Sequence, residues 1–141
     1  MNNPITFETH YAASPEKVWK AITDKEQMKQ WYFDIPDFEL KENATFNFYE
    51  PGNEKKFHHL CVIKEIVPNH KFQHTWTYPE LSKGSSLLTW ELIPDGKGTL
   101  VKLTHTGIES FADGGKDFSQ ENYEAGWNEI LGKMLREFLE K

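Results

Sequence analysis

Ser119–Lys141 reads SQENYEAGWNEILGKMLREFLEK. Tyr123, Trp127, Ile130, Leu131, Met134, Leu135, Phe138 and Leu139 recur in it at spacings of three and four, which on a helix lays them along one broad apolar side. Glu124, Asn128, Glu129, Lys133, Arg136, Glu137 and Glu140 fall mostly outside that stripe. Ser119 is positioned as an N-cap, its hydroxyl able to accept from a free N–H of the first turn. The pattern predicts one long helix from Ser119 to Lys141, roughly 35 Å at about 1.5 Å per residue. Gly126 and Gly132 weaken such a helix, so they need a reason. Close backbone packing is the usual one; room for a bound molecule beside Trp127 is the alternative.

The stretch before it has a different period. Ile5, Phe7, Thr9 and Tyr11 alternate with polar neighbours, as in a half-buried strand. Ser14-Pro15-Glu16 opens a helix, with Ser14 as N-cap and Pro15 where a missing N–H costs nothing. Val18, Trp19 and Ile22 give that helix its apolar edge. Asp24 with Gln27 has the spacing of a capping box, and Met28 and Trp31 carry a second short helix.

From Trp31 the period is two: Phe38 and Leu40, Phe46 and Phe48, Phe57 to Ile66, Phe72 to Tyr78, Leu88 to Leu92, Val101 to His105. Pro51-Gly52-Asn53 and Pro68-Asn69 are turns, Pro94-Asp95-Gly96-Lys97-Gly98 is a hairpin connection, and short turns make neighbouring strands antiparallel. Gly107 to Phe118, with Gly114-Gly115 inside it, is a flexible approach to the last helix. The predicted order is one strand, two short helices, about six strands and one long helix. Helices segregated from an antiparallel sheet make an α+β fold, in one domain spanning residues 1–141.

Composition narrows the function. The net charge is −6, with no Lys/Arg run, so nucleic-acid binding is not expected. A lone cysteine, Cys61, cannot form an internal disulfide and fits a reducing compartment. Met1 to Glu8 lacks a signal-peptide pattern, and Leu60 to Ile63, the longest aliphatic run, is too short to span a bilayer. The expectation is a cytoplasmic protein without membrane insertion. Aromatic residues make up 14% of the chain, five Trp among them; large rings line cavities well.

Several stretches resemble a known family. Ala13-Ser14-Pro15-Glu16-Lys17-Val18-Trp19-Lys20-Ala21-Ile22-Thr23-Asp24, with Met28 and Trp31-Tyr32 behind it, is similar to the opening signature of the START-like, Bet v 1-like (SRPBCC) superfamily. The branch it resembles is that of the C-terminal domain of the heat-shock protein 90 ATPase activator. Phe72-Gln73-His74-Thr75-Trp76 resembles its middle signature. Leu88 to Leu92 and Gly98 to Gly107 resemble its hairpin, and Gly126-Trp127 with Leu131 its final helix. The resemblance implies a helix-grip fold, a curved antiparallel sheet with two short helices wrapped around the long C-terminal helix, which lines a hydrophobic cavity.

If the inward strand faces line such a cavity, the candidate ligand-binding residues are Tyr32, Phe46, Phe48, Phe72, His74, Trp76, Trp90, His105, Tyr123 and Trp127. Tyr and Trp have polar tips that a dry core must satisfy and a binding site can use. His74 and His105 each sit among apolar residues of their strand. Each is either a core histidine bonded to a backbone carbonyl or a group that orients a ligand carboxylate or hydroxyl. Cys61 and His59 share a strand face without a third group to orient them, so Cys61 reads as packing.

No metal-ligand spacing occurs: adjacent His58 and His59 point to opposite faces of a strand. No glycine-rich phosphate loop or nucleophile elbow is present, and no cofactor is expected. The first reading is a binding protein for a small apolar or amphipathic molecule, held between the sheet and the C-terminal helix. The second, which rests on the resemblance, is a co-chaperone-like module whose partner is a heat-shock protein 90 homologue. The third is a cyclase- or hydratase-like enzyme using a pocket histidine.

Overall fold

The computed structural model describes residues 5–31, 35, 37–49, 58–79, 82–108, 110–111 and 120–140. Tyr32, Pro51-Gly52-Asn53, Phe57, Gly114-Gly115 and Ser119 lie outside the described residues. In chain order the elements are β1 (Ile5–Tyr11), α1 (Pro15–Thr23), α2 (Lys25–Trp31), β2 (Thr45–Tyr49), β3 (His58–Val67), β4 (Lys71–Trp76), β5 (Ser86–Asp95), β6 (Gly98–Thr106) and α3 (Gln120–Glu129). A π-helical turn (Ile130–Met134) then leads into α4 (Leu135–Leu139).

All strands join one antiparallel sheet in the order β1-β6-β5-β4-β3-β2. This is the expected α+β helix-grip arrangement. Alternation sets the inward face: Phe72, His74 and Trp76 of β4 are buried, as are Leu88, Trp90 and Leu92 of β5 and Val101, Leu103 and His105 of β6. The β5–β6 hairpin pairs Asp95 with Gly98 across Gly96-Lys97. Gly96 takes φ +64° there, the left-handed conformation that a tight hairpin asks of its first turn residue. At Gly98 the main-chain oxygen of Tyr11 passes so close that a Cβ would collide with it.

Ser14 caps α1 as expected, accepting from Lys17 N at 3.2 Å. Asp24 serves both short helices at once. Its N–H bonds Lys20 O at 2.9 Å to close α1, and its carboxylate accepts from Glu26 N at 3.2 Å to open α2. The reciprocal half of the expected capping box is not made, because that N–H is already engaged. Phe38 and Leu40 are not in a strand. Phe38 N bonds Ile35 O at 3.1 Å in a turn, and the ring is buried; a short apolar alternation does not distinguish a strand from an anchored loop.

The last helix departs from the sequence reading in two ways. Its buried side chains are Trp127, Leu131, Leu135 and Leu139, a strict spacing of four. In a plain α-helix four residues overshoot a full turn by about 40°. The π turn, with its wider i→i+5 bonds, takes up part of that excess and keeps the row facing the sheet. Leu135 N accordingly bonds Ile130 O, while Tyr11 donates its phenol to Leu131 O at 2.6 Å. The second difference concerns the helix glycines. Gly126 and Gly132 are exposed, with nothing within 4 Å of where a Cβ would stand, so close packing does not explain them.

The end of β1 and the start of α1 hold the end of the last helix. Ala12 N bonds Glu140 Oε2 at 2.8 Å, Lys17 Nζ bonds Leu139 O at 3.1 Å, and the Arg136 guanidinium lies 5.0 Å from the centre of the Tyr11 ring.

Candidate functional site

The aromatic interior divides into two neighbourhoods. The first surrounds a cavity of about 10 Å³ where the α1–α2 corner meets the sheet, about the room that one water needs. Ile22, Met28, Trp31, Ile35, Phe38, Phe46, Phe72, His74 and Trp90 line it. Edge-to-face contacts shape its wall: Phe38 to Phe46 at 5.1 Å, Phe46 to His74 at 5.1 Å and Phe38 to Phe72 at 6.2 Å between ring centres.

His74 is the polar group of that wall with a titratable ring. Its Nδ1 lies 2.8 Å from Thr75 O. A carbonyl only accepts, so Nδ1 carries the proton and Nε2 presents a lone pair. Burial pushes the imidazole down to about 4, against a smaller upward pull from the Thr75 bond, and the ring is neutral at physiological pH. Among the described residues Nε2 has no hydrogen-bond partner. The indole N–H of buried Trp90 also has none among the described residues, whereas that of Trp31 donates to Ala21 O at 2.8 Å.

The second neighbourhood lies under α3 and is held by polar contacts. Trp127 Nε1 donates to His105 Nδ1 at 3.2 Å. That bond places the histidine proton on Nε2, which donates to Ser86 Oγ at 2.7 Å. Ser86 in turn donates to Trp76 O at 3.0 Å. Trp76 Nε1 donates to Tyr78 Oη at 2.8 Å, and Tyr78 Oη meets Tyr123 Oη at 2.8 Å. Burial, with a smaller contribution from His74, brings His105 down to about 3. Phe48 stacks on His59 at 4.4 Å and meets Trp76 edge-on at 5.6 Å.

Of the candidates from sequence, Phe46, Phe72, His74 and Trp90 therefore line the cavity. Phe48, Trp76, His105, Tyr123 and Trp127 pack together beside it, and Trp90 touches Trp127 edge-on at 6.3 Å between the two groups. Tyr32 lies outside the described residues. The lining from Ile22, Met28, Trp31, Ile35 and Phe38 was not a sequence candidate. These residues come from the helical corner and the turn after it, and only the docking of that corner on the sheet brings them to the site. Ser86 could have been found: it shares an alternating face with Leu88, Trp90 and Leu92.

Cys61 is buried without a disulfide, and burial holds its thiol well above the usual range. His58 lies on the other face of β3 from His59 and meets Asn47 Oδ1 at 2.8 Å. Among the described residues no three His, Cys, Asp or Glu side chains converge as a metal site would require. No helix among the described residues is long and apolar enough to cross a membrane.

A family model described as "Activator of Hsp90 ATPase homolog 1-like protein" matches residues 12–140. No curated protein matches the chain. Among solved structures, protein CV1439 from Chromobacterium violaceum is 20% identical, with a TM-score of 0.87 over 100% of this chain and 99% of that one. Mll3558 from Rhizobium loti is 24% identical, with a TM-score of 0.82 over 97% and 96%. CalU16 from Micromonospora echinospora is 24% identical, with a TM-score of 0.71 over 97% of this chain and 76% of that chain. At these identities the likeness is one of fold.

Proposed function

The chain belongs to the activator of Hsp90 ATPase homolog 1-like protein family, and on that premise we propose that it binds a small apolar or amphipathic molecule inside the helix grip. One observation carries this reading: an aromatic-lined cavity whose wall holds a buried, neutral histidine with an unmet acceptor. A wall of this kind binds by burying apolar area, at about 25 cal/mol per Å², while a few polar atoms set orientation. At about 10 Å³ the cavity is nearly filled by its own side chains, so entry of a ligand requires the lining to open. Met28, unbranched and with three rotatable bonds, is the lining residue most able to move. The free thiol of Cys61 goes with a cytoplasmic location.

Native mass spectrometry of gently purified protein, together with a thermal-shift screen of diverse apolar ligands, tests the proposal. A retained adduct, or a stabilisation that grows with ligand concentration as mass action requires, is the expected result. No adduct and no shift across the screen would overturn it. The family description favours a second reading, interaction with a heat-shock protein 90 homologue. A pull-down with the purified chaperone at high micromolar concentration decides that one, and absence of contact ends it.

A further inference from the structure

We infer that the cavity is made for a neutral, largely apolar molecule carrying a hydroxyl group, which donates to His74 Nε2 and accepts from the Trp90 indole N–H. This rests on the reading that the cavity takes a ligand, and goes further by naming its chemistry. His74 and Trp90 line the same cavity and are 3% and 2% exposed. Nδ1 of His74 is committed to Thr75 O at 2.8 Å, so Nε2 can only accept. An indole nitrogen can only donate. Neither atom has a partner among the described residues, and buried polar groups are almost always paired.

The sheet places the two together. Trp90 is opposite Phe72 in the β4–β5 ladder, and His74 is two residues along from Phe72 on the same face. That makes them diagonal neighbours, about 7–8 Å apart at the backbone, and both line the one cavity. One acceptor and one donor in one wall ask for a group that is both donor and acceptor. A hydroxyl satisfies both with a single atom. A ketone would leave Nε2 unmet, and an ammonium would leave the indole N–H unmet. A carboxylate would set its negative oxygens against the Nε2 lone pair in an apolar wall, at a high desolvation cost. Phe46 and Phe72, with ring centres 5.1 and 5.2 Å from that of His74, suit an aromatic ring on the hydroxyl. A single ring needs a cavity of about 150 Å³, so it enters only as the lining opens.

The test is an NMR titration of the full chain, labelled with ¹⁵N, using phenol, toluene and benzoate as probes. Phenol is expected to shift the Trp90 indole N–H and the His74 Nε2 resonance saturably. Its Kd should be about tenfold below that of toluene, the worth of a good hydrogen bond, with benzoate the weakest. His74→Phe and Trp90→Phe should each bring phenol close to the toluene value. Should His74→Phe fail to fold, Trp90→Phe and the wild-type comparison decide. Toluene binding as tightly as phenol, or benzoate binding best, overturns the hydroxyl inference and leaves the cavity reading standing. No saturable binding of any probe overturns both.

Discussion

Trp127 donates its indole N–H to Nδ1 of His105 across 3.2 Å, from the final helix to the inner face of β6. The bond sets the histidine tautomer, and through Nε2 and Ser86 it continues to the main chain of β4. Helix and sheet are thereby locked in register by a polar chain inside an aromatic core. His74 has the opposite tautomer, with its proton on Nδ1 and its free lone pair facing away from Thr75 O.

Trp127→Phe keeps a ring in the core and removes the donor. A buried Nδ1 left without a partner costs about 1–3 kcal/mol. Urea unfolding should show a loss in that range, together with a change in the ¹⁵N pattern of His105. An unaltered midpoint would mean that the bond contributes nothing net.

Stability should fall steeply with acid below pH 6.5. Both inner histidines are held neutral by burial, His74 down to about 4 and His105 to about 3, against a usual value near 6.5. Between these values the unfolded chain binds more protons than the folded one, so stability is fully present above about pH 6.5 and is lost as pH falls toward the folded values. With both groups contributing, the slope near pH 5 should approach that of two protons, about 2–3 kcal/mol per pH unit. Urea midpoints from pH 7.5 to 4.5 measure it. A flat profile would contradict the neutral, buried state of the pair.

Gly126→Ala and Gly132→Ala should each stabilise the protein by about 0.4–1 kcal/mol. Both positions are exposed, and the space a methyl would take is open. Thermal unfolding of each variant checks this. Destabilisation at Gly132 with stabilisation at Gly126 would show that the π turn itself needs the glycine.

Tyr11→Phe should cost about 1–2 kcal/mol, since it removes the phenol from Leu131 O and leaves that carbonyl without the bond. The π turn should then loosen. Amide exchange at Leu135, whose N–H bonds Ile130 O, should quicken more than exchange in β5. Unchanged protection at Leu135 in Tyr11→Phe would separate the phenol from the turn.

The inward faces of β4, β5 and β6 were legible because side chains in a strand alternate with a fixed period of two, whatever the strand packs on. Phe72, His74, Trp90 and His105 follow from that rule alone. The apolar row of the last helix was legible from its own periodicity, but its π turn was not. The turn answers the register of Leu131 and Leu135 against the sheet and the reach of the Tyr11 phenol, and both are contacts across the fold. Phe38 misled for a related reason: its buried ring mimics a strand alternation, while the backbone beneath it turns.

The sequence by itself determined the α+β class, the order of the elements apart from the strand expected at Phe38 and Leu40, the inward strand faces and the crowding of rings and histidines there. Those properties are local, since backbone period, caps and turn residues act over a few neighbours. Only the tertiary structure decided which inward rings meet at a cavity and which lock one another through hydrogen bonds. His74 and His105 look alike along the chain. The docking of the α1–α2 corner leaves one with a free lone pair beside a cavity, and the approach of Trp127 to Ser86's partner closes the other.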